Sequence, residues 1–272
     1  GKTALLIDGA RRVGKSYIAE QFAKNEYKSY IIVDFGNLPK DVLALFENDT
    51  TDFDLFFAKL VLFYGKALPK RESLIIFDEV QQFPQARQLI KYLVADGRYD
   101  YLETGSLIRL KKNVKDIIIP SEEEHIEMFP LDFEEFLWAI GDKSTFSLLR
   151  KCFDMNQGLG DAINRKQLRQ FRLYMLVGGM PQAVSTYIET NNFRKVDEIK
   201  RDILNLYESD FAKIDTTGRL AMIFDAIPAQ LNKNAARYQT SSVLNGERQD
   251  KILELIAELK DSKTVLIAYN TD

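Results

Sequence analysis

Cysteine is almost missing. Cys152 is the only one in 272 residues, so no disulfide can close within the chain, and a reducing compartment such as the cytoplasm is expected. Histidine is as scarce, with His125 alone. It stands beside Glu122, Glu123 and Glu124, but no second soft ligand is spaced to join it. A zinc-type site is therefore not expected, no Ser/His/Asp triad can be assembled, and His125 reads as structural or exposed. No apolar run approaches the ~20 residues of a membrane span, so no membrane partner is expected, and no signal peptide is expected ahead of the first apolar stretch. A net charge of -3 excludes a surface built wholly for nucleic acid, leaving a local basic face open. With 46% hydrophobic and 28% charged residues, the chain reads as globular with two or more domains. It opens on Gly1 almost directly at a strand and stops on a strand-like run, so truncation at both ends is the expectation.

What is present is organised around Gly9-Ala10-Arg11-Arg12-Val13-Gly14-Lys15-Ser16, which fits G-x-x-x-x-G-K-[ST], the Walker A pattern, at every fixed position. The apolar run Thr3–Asp8 before it predicts a buried parallel strand, and Tyr17–Lys24 after it predicts a helix with Ile18, Ala19 and Phe22 on one face. Strand, glycine-bracketed loop and helix together point to phosphate binding. Backbone N–H groups of Gly9 to Tyr17 would face the phosphates at a helix N-terminus. Lys15 would reach the β/γ-phosphates, and the Ser16 hydroxyl would ligate Mg²⁺.

A second motif follows about sixty residues later. Leu74-Ile75-Ile76-Phe77 ends in Asp78-Glu79, a Walker B-like strand that delivers carboxylates to its C-terminal tip, where ligands of parallel sheets gather. Asp78 is the second expected metal ligand, and Glu79 the expected general base for an attacking water. The strand Tyr99–Thr104 closes on Gly105-Ser106. Ser106 is nominated to touch the γ-phosphate or the lytic water, with Thr104 as second choice; the ordinary alternative is that Ser106 caps a helix.

Other segments read as structure. Ser29–Asp34 predicts a strand, and Pro39–Phe46, Phe53–Tyr64 and Phe83–Leu93 predict helices, the last stopped by Gly97. His125–Phe129 predicts an edge strand. Asp132 and Glu135 form a capping-box pattern at a helix start. Asn164–Arg172 carries four basic residues on a further helix and would face either solvent or phosphate. Gly178 ends a helix and Pro181 starts another. Phe193 to Ile214 carries an apolar stripe for one long helix. Helices are expected at Leu220–Leu231 and Lys251–Leu259, and a strand at Thr264–Tyr269.

Five stretches carry a family resemblance: Gly9 to Ser16, Phe77 to Gln81, Thr104 to Ser106, Phe129 to Leu137, and Gly178 to Val184. Through them the chain resembles the AAA-superfamily P-loop ATPases of bacteria and archaea that carry a C-terminal domain of unknown function. The resemblance implies an α/β fold with a parallel-sheet core, in which the Thr104 strand lies between the Asp78 strand and the loop's own strand. It implies a helical lid and a winged-helix-like module, giving 1–131, 132–215 and 216–272. It also implies that the turn Gly179-Met180-Pro181 packs on nucleotide, with Pro181 among the nucleotide contacts. Many relatives have a Gly-Arg pair ahead of the Phe-Pro-Leu stretch, where this chain has Ile119 to His125 without arginine. Arg109 to Lys115 is the basic run that would substitute, or else a solvated turn.

The expected activity is Mg²⁺-dependent ATP hydrolysis by a cytoplasmic switch or motor, with ATP as ligand, a homo-oligomer as assembly, and DNA or a protein as target. The alternative is a nucleotide-dependent DNA-binding or scaffold protein with slow, incidental hydrolysis. A small-molecule kinase is a weaker third reading, disfavoured by the Asp78-Glu79 pair. From Thr216 to Asp272, seven basic residues meet seven acidic ones, which weakens DNA reading by that segment.

Overall fold

The computed structural model of the chain describes residues 2–108, 117–232 and 238–268. Packing divides it into two compact units. Gly1–Ala10, Gly14–Met128 and Met222–Asp272 form one, and Arg11–Val13 with Phe129–Ala221 form the other.

The first unit is built on a five-stranded parallel sheet of β1 (Ala4–Asp8), β2 (Ser29–Asp34), β3 (Ser73–Asp78), β4 (Asp100–Gly105) and β5 (Glu123–Glu127), in the order β2-β3-β4-β1-β5. β4 thus lies between β3 and β1, as the resemblance implied. Helices α1 (Lys15–Glu26), α2 (Lys40–Asn48), α3 (Phe53–Tyr64) and α4 (Pro84–Asp96) alternate with the strands. The run in β3 is apolar throughout because both faces are covered, as parallel sheets require. Ile75 and Phe77 join a cluster with Phe35, Phe46, Phe56 and Phe57, while Leu74 and Ile76 meet Ala19 and Ala23 of α1 on the opposite face. The aromatic stripe of α3 is core: Phe56 and Phe57 meet edge-to-face at 5.1 Å.

The edge strand forms two residues earlier than His125–Phe129. Its register is set by β1, Ala4 lying opposite Glu123 and Asp8 opposite Glu127. The Met128 N–H then closes on the Asp8 carbonyl at 2.7 Å, and Pro130 follows.

The helical unit holds α5 (Phe133–Ala139), α6 (Thr145–Asp154), α7 (Asp161–Val177), α8 (Pro181–Thr190) and α9 (Phe193–Ile214). Asp132 and Glu135 make the reciprocal capping box at the start of α5. Phe136, Val177, Ala183, Val184 and Val196 are its core. Trp138, the chain's one tryptophan, lies half-exposed on α5.

The C-terminal part differs from expectation. The helix expected at Leu220–Leu231 is broken into α10 (Arg219–Asp225) and α11 (Ile227–Leu231), with Pro228, which has no N–H to donate, in the first turn of α11. α12 (Gln249–Asp261) follows. The run from Thr264 forms no strand through Ala268, and Tyr269 lies outside the described residues. Leu266 in that run is 79% exposed, so its side chain joins no core. The winged-helix-like module is therefore not seen among the described residues. None of the described helices is long and apolar enough to cross a membrane.

Candidate functional site

The Gly9–Ser16 segment joins the C-terminal tip of β1 to the N-terminus of α1. Gly14 takes φ 101°, a left-handed turn that a residue with Cβ strongly resists, and it leads straight into the helix. Gly14, the residue at the N-cap of α1, has no side chain to cap the first turn. Lys15 is buried at 5% exposure, its Nζ donating to the carbonyls of Gly9 (3.0 Å) and Ala10 (2.8 Å). The ammonium is thereby folded back over its own loop. Arg11, Arg12 and Val13 belong with the helical unit. The Tyr207 hydroxyl of α9 donates to the Arg11 carbonyl at 2.9 Å, and Arg11 Nε lies 3.1 Å from Oδ2 of buried Asp210. Burial, then the Asp210 charge, pushes the Tyr207 phenol up to about 12.

Ser16 and Asp78 come together. The Ser16 hydroxyl donates to Asp78 Oδ1 at 2.7 Å, and the Thr104 hydroxyl makes a short hydrogen bond to the same oxygen. β4 neighbours β3 in the sheet, which places Thr104 against Asp78. Oxygen donors gathered this way are the set a hard cation such as Mg²⁺ accepts, so the residues fit that ion.

Glu79 leaves the strand with φ 54° and ψ 44°. A non-glycine residue held there is strained, and such outliers cluster at functional sites. Its carboxylate receives a short hydrogen bond from the Gln81 amide. Gln81 also lies 3.4 Å from the Ser106 hydroxyl and accepts from the Ser106 N–H at 3.3 Å. Ser106 is fully buried. Gly105 makes room for this: a Cβ there would meet Gln81 Oε1 and Ile108 at 2.6 Å. Gln81 ends the Phe77–Gln81 stretch that carries the resemblance, but nothing in its pattern gives it a place in the site. Its proximity to Ser106 comes from the pairing of β3 with β4.

Pro181 opens α8 in the helical unit. The turn before it has its own packing reason, since a Cβ on Gly179 would meet the Leu131 carbonyl oxygen at 2.1 Å, and the Leu131 N–H donates to the Gly179 carbonyl at 2.8 Å. His125 Nε2 lies 3.2 Å from Glu123 Oε2. The basic run Arg109 to Lys115 lies outside the described residues.

A parallel sheet with a glycine loop and helix start at one strand tip and paired carboxylates at another defines the class, a P-loop-type nucleotide-binding fold. The family model described as AAA domain matches residues 1–137, and the chain belongs to that family. Residues 168–271 match a second model, described as Domain of unknown function (DUF8612). No curated protein matches. Among solved structures, the chain is similar to PCH-2 of C. elegans, with 13% identity and a TM-score of 0.39 over 71% of this chain and 56% of that one. It is similar to the S. cerevisiae Hsp104-ADP complex with 14% identity and a TM-score of 0.39 over 96% of this chain and 37% of that one. The chain thus spans little more than half the length of the first and about a third of the second. Family membership supports a nucleotide-binding, ATPase-like function.

Proposed function

We propose that the chain binds ATP with Mg²⁺ and hydrolyses it, acting as a nucleotide-driven switch or motor. The observation that carries this reading is the hydrogen-bonded group Ser16–Asp78–Thr104 beside a loop-bound Lys15 at a helix start that Gly14 opens. In it, Gly9 to Tyr17 supply backbone donors to the phosphates, and Lys15 exchanges the carbonyls of Gly9 and Ala10 for phosphate oxygens. Ser16 and Asp78 hold Mg²⁺, directly or through water, and the ion when bound neutralises charge on the phosphates. Glu79 takes a proton from the attacking water, and Gln81 with Ser106 orients it.

Measured phosphate release separates binding from chemistry. Glu79→Gln keeps the shape but cannot accept a proton, so turnover falls by about 10²–10⁴-fold while nucleotide and Mg²⁺ still bind. Asp78→Asn removes charge beside the ion, so metal-dependent binding weakens first. Parent-rate hydrolysis by the Glu79 variant would strike Glu79 from the catalytic residues.

A second reading has one observation in its favour. Gln81 already occupies one Glu79 oxygen, which suits a binding or scaffold protein that hydrolyses ATP slowly. Negligible turnover together with DNA binding that depends on nucleotide would support that reading.

A further inference from the structure

Every arginine on α6 and α9 of the helical unit has a carboxylate partner. Arg150 meets Glu134 at 2.7 Å, Arg194 meets Glu198 at 3.5 Å, and Arg201 meets Asp197 at 2.7 Å. α7 breaks the habit. Arg165, Arg169 and Arg172 are all exposed, and none forms an ion pair with a carboxylate among the described residues. Their spacing of four and three residues sets them on one stripe of the helix, and Leu176, four residues beyond Arg172, continues it. The opposite face is used internally, where Gln167 and Val177 are buried and the Tyr174 hydroxyl donates to the Leu131 carbonyl at 2.9 Å. The one acid on the outer stripe is Asp161 in the first turn, where its charge complements the helix dipole.

The same outer surface is apolar as well as cationic. Leu168 is 46% exposed, Met175 68% and Leu176 60%. A phosphate backbone would neutralise the arginines but give those three side chains nothing. An amphipathic protein segment satisfies both, because carboxylates accept the planar guanidinium fork in bidentate fashion while apolar side chains cover Leu168, Met175 and Leu176. Arginine and methionine are also enriched in protein–protein interfaces.

We propose that the outer face of α7, from Arg165 to Leu176, docks an acidic amphipathic segment of another protein. Its carboxylates pair with Arg165, Arg169 and Arg172, and its apolar residues cover Leu168, Met175 and Leu176. At 1.5 Å per residue the face is about 16 Å long, room for roughly three turns of a partner helix. The surface is independent of nucleotide chemistry, so it stands or falls apart from the proposed ATPase activity.

The test is fluorescence anisotropy on the whole chain. Its probe is a labelled helical peptide with glutamates at i, i+4 and i+7 flanked by leucines, compared with a scrambled peptide of identical composition. The ordered peptide is expected to bind at least about tenfold more tightly than the scrambled one. Both Arg169→Gln with Arg172→Gln and Met175→Ser with Leu176→Ser are expected to lose about tenfold. All four side chains are exposed, so an unchanged melting midpoint shows that the fold is kept. Arg169→Glu with Arg172→Glu is expected to prefer the lysine version of the peptide, a reversal that misfolding cannot produce. Equal binding of ordered and scrambled peptides, or binding of neither, overturns the proposal. So does preferred binding of a duplex DNA, with log K falling against log salt at a slope of about −2.7 for three phosphate contacts and no response to the Met175/Leu176 variant.

Discussion

Lys15 illustrates how one side chain links loop geometry to affinity. Its ammonium is already satisfied by two backbone carbonyls, so nucleotide binding is an exchange of partners rather than the capture of a bare charge. One charge-assisted contact contributes about 1.5–3 kcal/mol, and Lys15→Ala is expected to weaken ATP binding about tenfold or more. Titration of a fluorescent ATP analogue reads this directly, and unchanged affinity would remove Lys15 from the phosphate site. Residues such as Lys15, Ser16 and Asp78 were legible because fixed spacing announces them. Thr104 ranked second to Ser106 from sequence, yet it is Thr104 that touches Asp78. Strand order places that contact, and no local pattern of residue types encodes it.

At the scale of elements, β4, β5 and α4 share a buried charge cluster. Arg87 of α4 holds Glu123 of β5 through two hydrogen bonds of 2.7 and 2.6 Å, both side chains nearly or fully buried. Glu103 of β4 is fully buried as well. Burial, and then the Glu123 charge, raises the Glu103 carboxyl well above its usual range, and Arg87 only partly opposes this. The folded protein therefore holds the Glu103 proton to higher pH than the unfolded chain, which releases it in the ordinary carboxylate range. Stability from this group is full below the ordinary carboxylate range, about pH 4.3, and is lost as pH rises through the folded value. Urea midpoints should accordingly fall from weakly acidic to alkaline pH, and Glu103→Gln should flatten that fall. A parallel fall in the variant would mean that another group controls it. The boundaries of α3 and α9 and the cap of α5 were legible from periodicity and Asp132, but this cluster was not. A glutamate inside an apolar strand looks the same in sequence whether it is solvated or buried. At the turn before Pro181, amide exchange with and without ATP is the corresponding measurement. Nucleotide contact predicts protection at Gly179 and Met180, and equal exchange leaves the turn to the Leu131 packing alone.

At the scale of the molecule, the chain's order does not follow its packing. Met222–Asp272 belongs with the sheet unit despite coming last, and Arg11–Val13 belongs with the helical unit despite sitting within the glycine loop. Helical periodicity could place the elements in sequence. It carries no information on which core a late helix joins. A ligand that binds only the folded state stabilises it by about 2.7 kcal/mol at a hundredfold excess over its dissociation constant. Saturating ATP with Mg²⁺ is expected to raise the unfolding free energy by that order, seen as a higher denaturation midpoint by far-ultraviolet circular dichroism. No shift would contradict nucleotide binding at the Gly9–Ser16 loop.

The position of Trp138 gives that experiment a second channel. As the only indole in the chain, placed half-exposed on a helix of the second unit, it makes tryptophan emission a built-in label for that unit and leaves the sheet unit optically silent at the red edge of protein absorption. Emission then reports the helical unit alone while dichroism reports the helices of both units, and a nucleotide-induced gap between the two curves shows, without any added dye, whether stabilisation is shared beyond the phosphate loop.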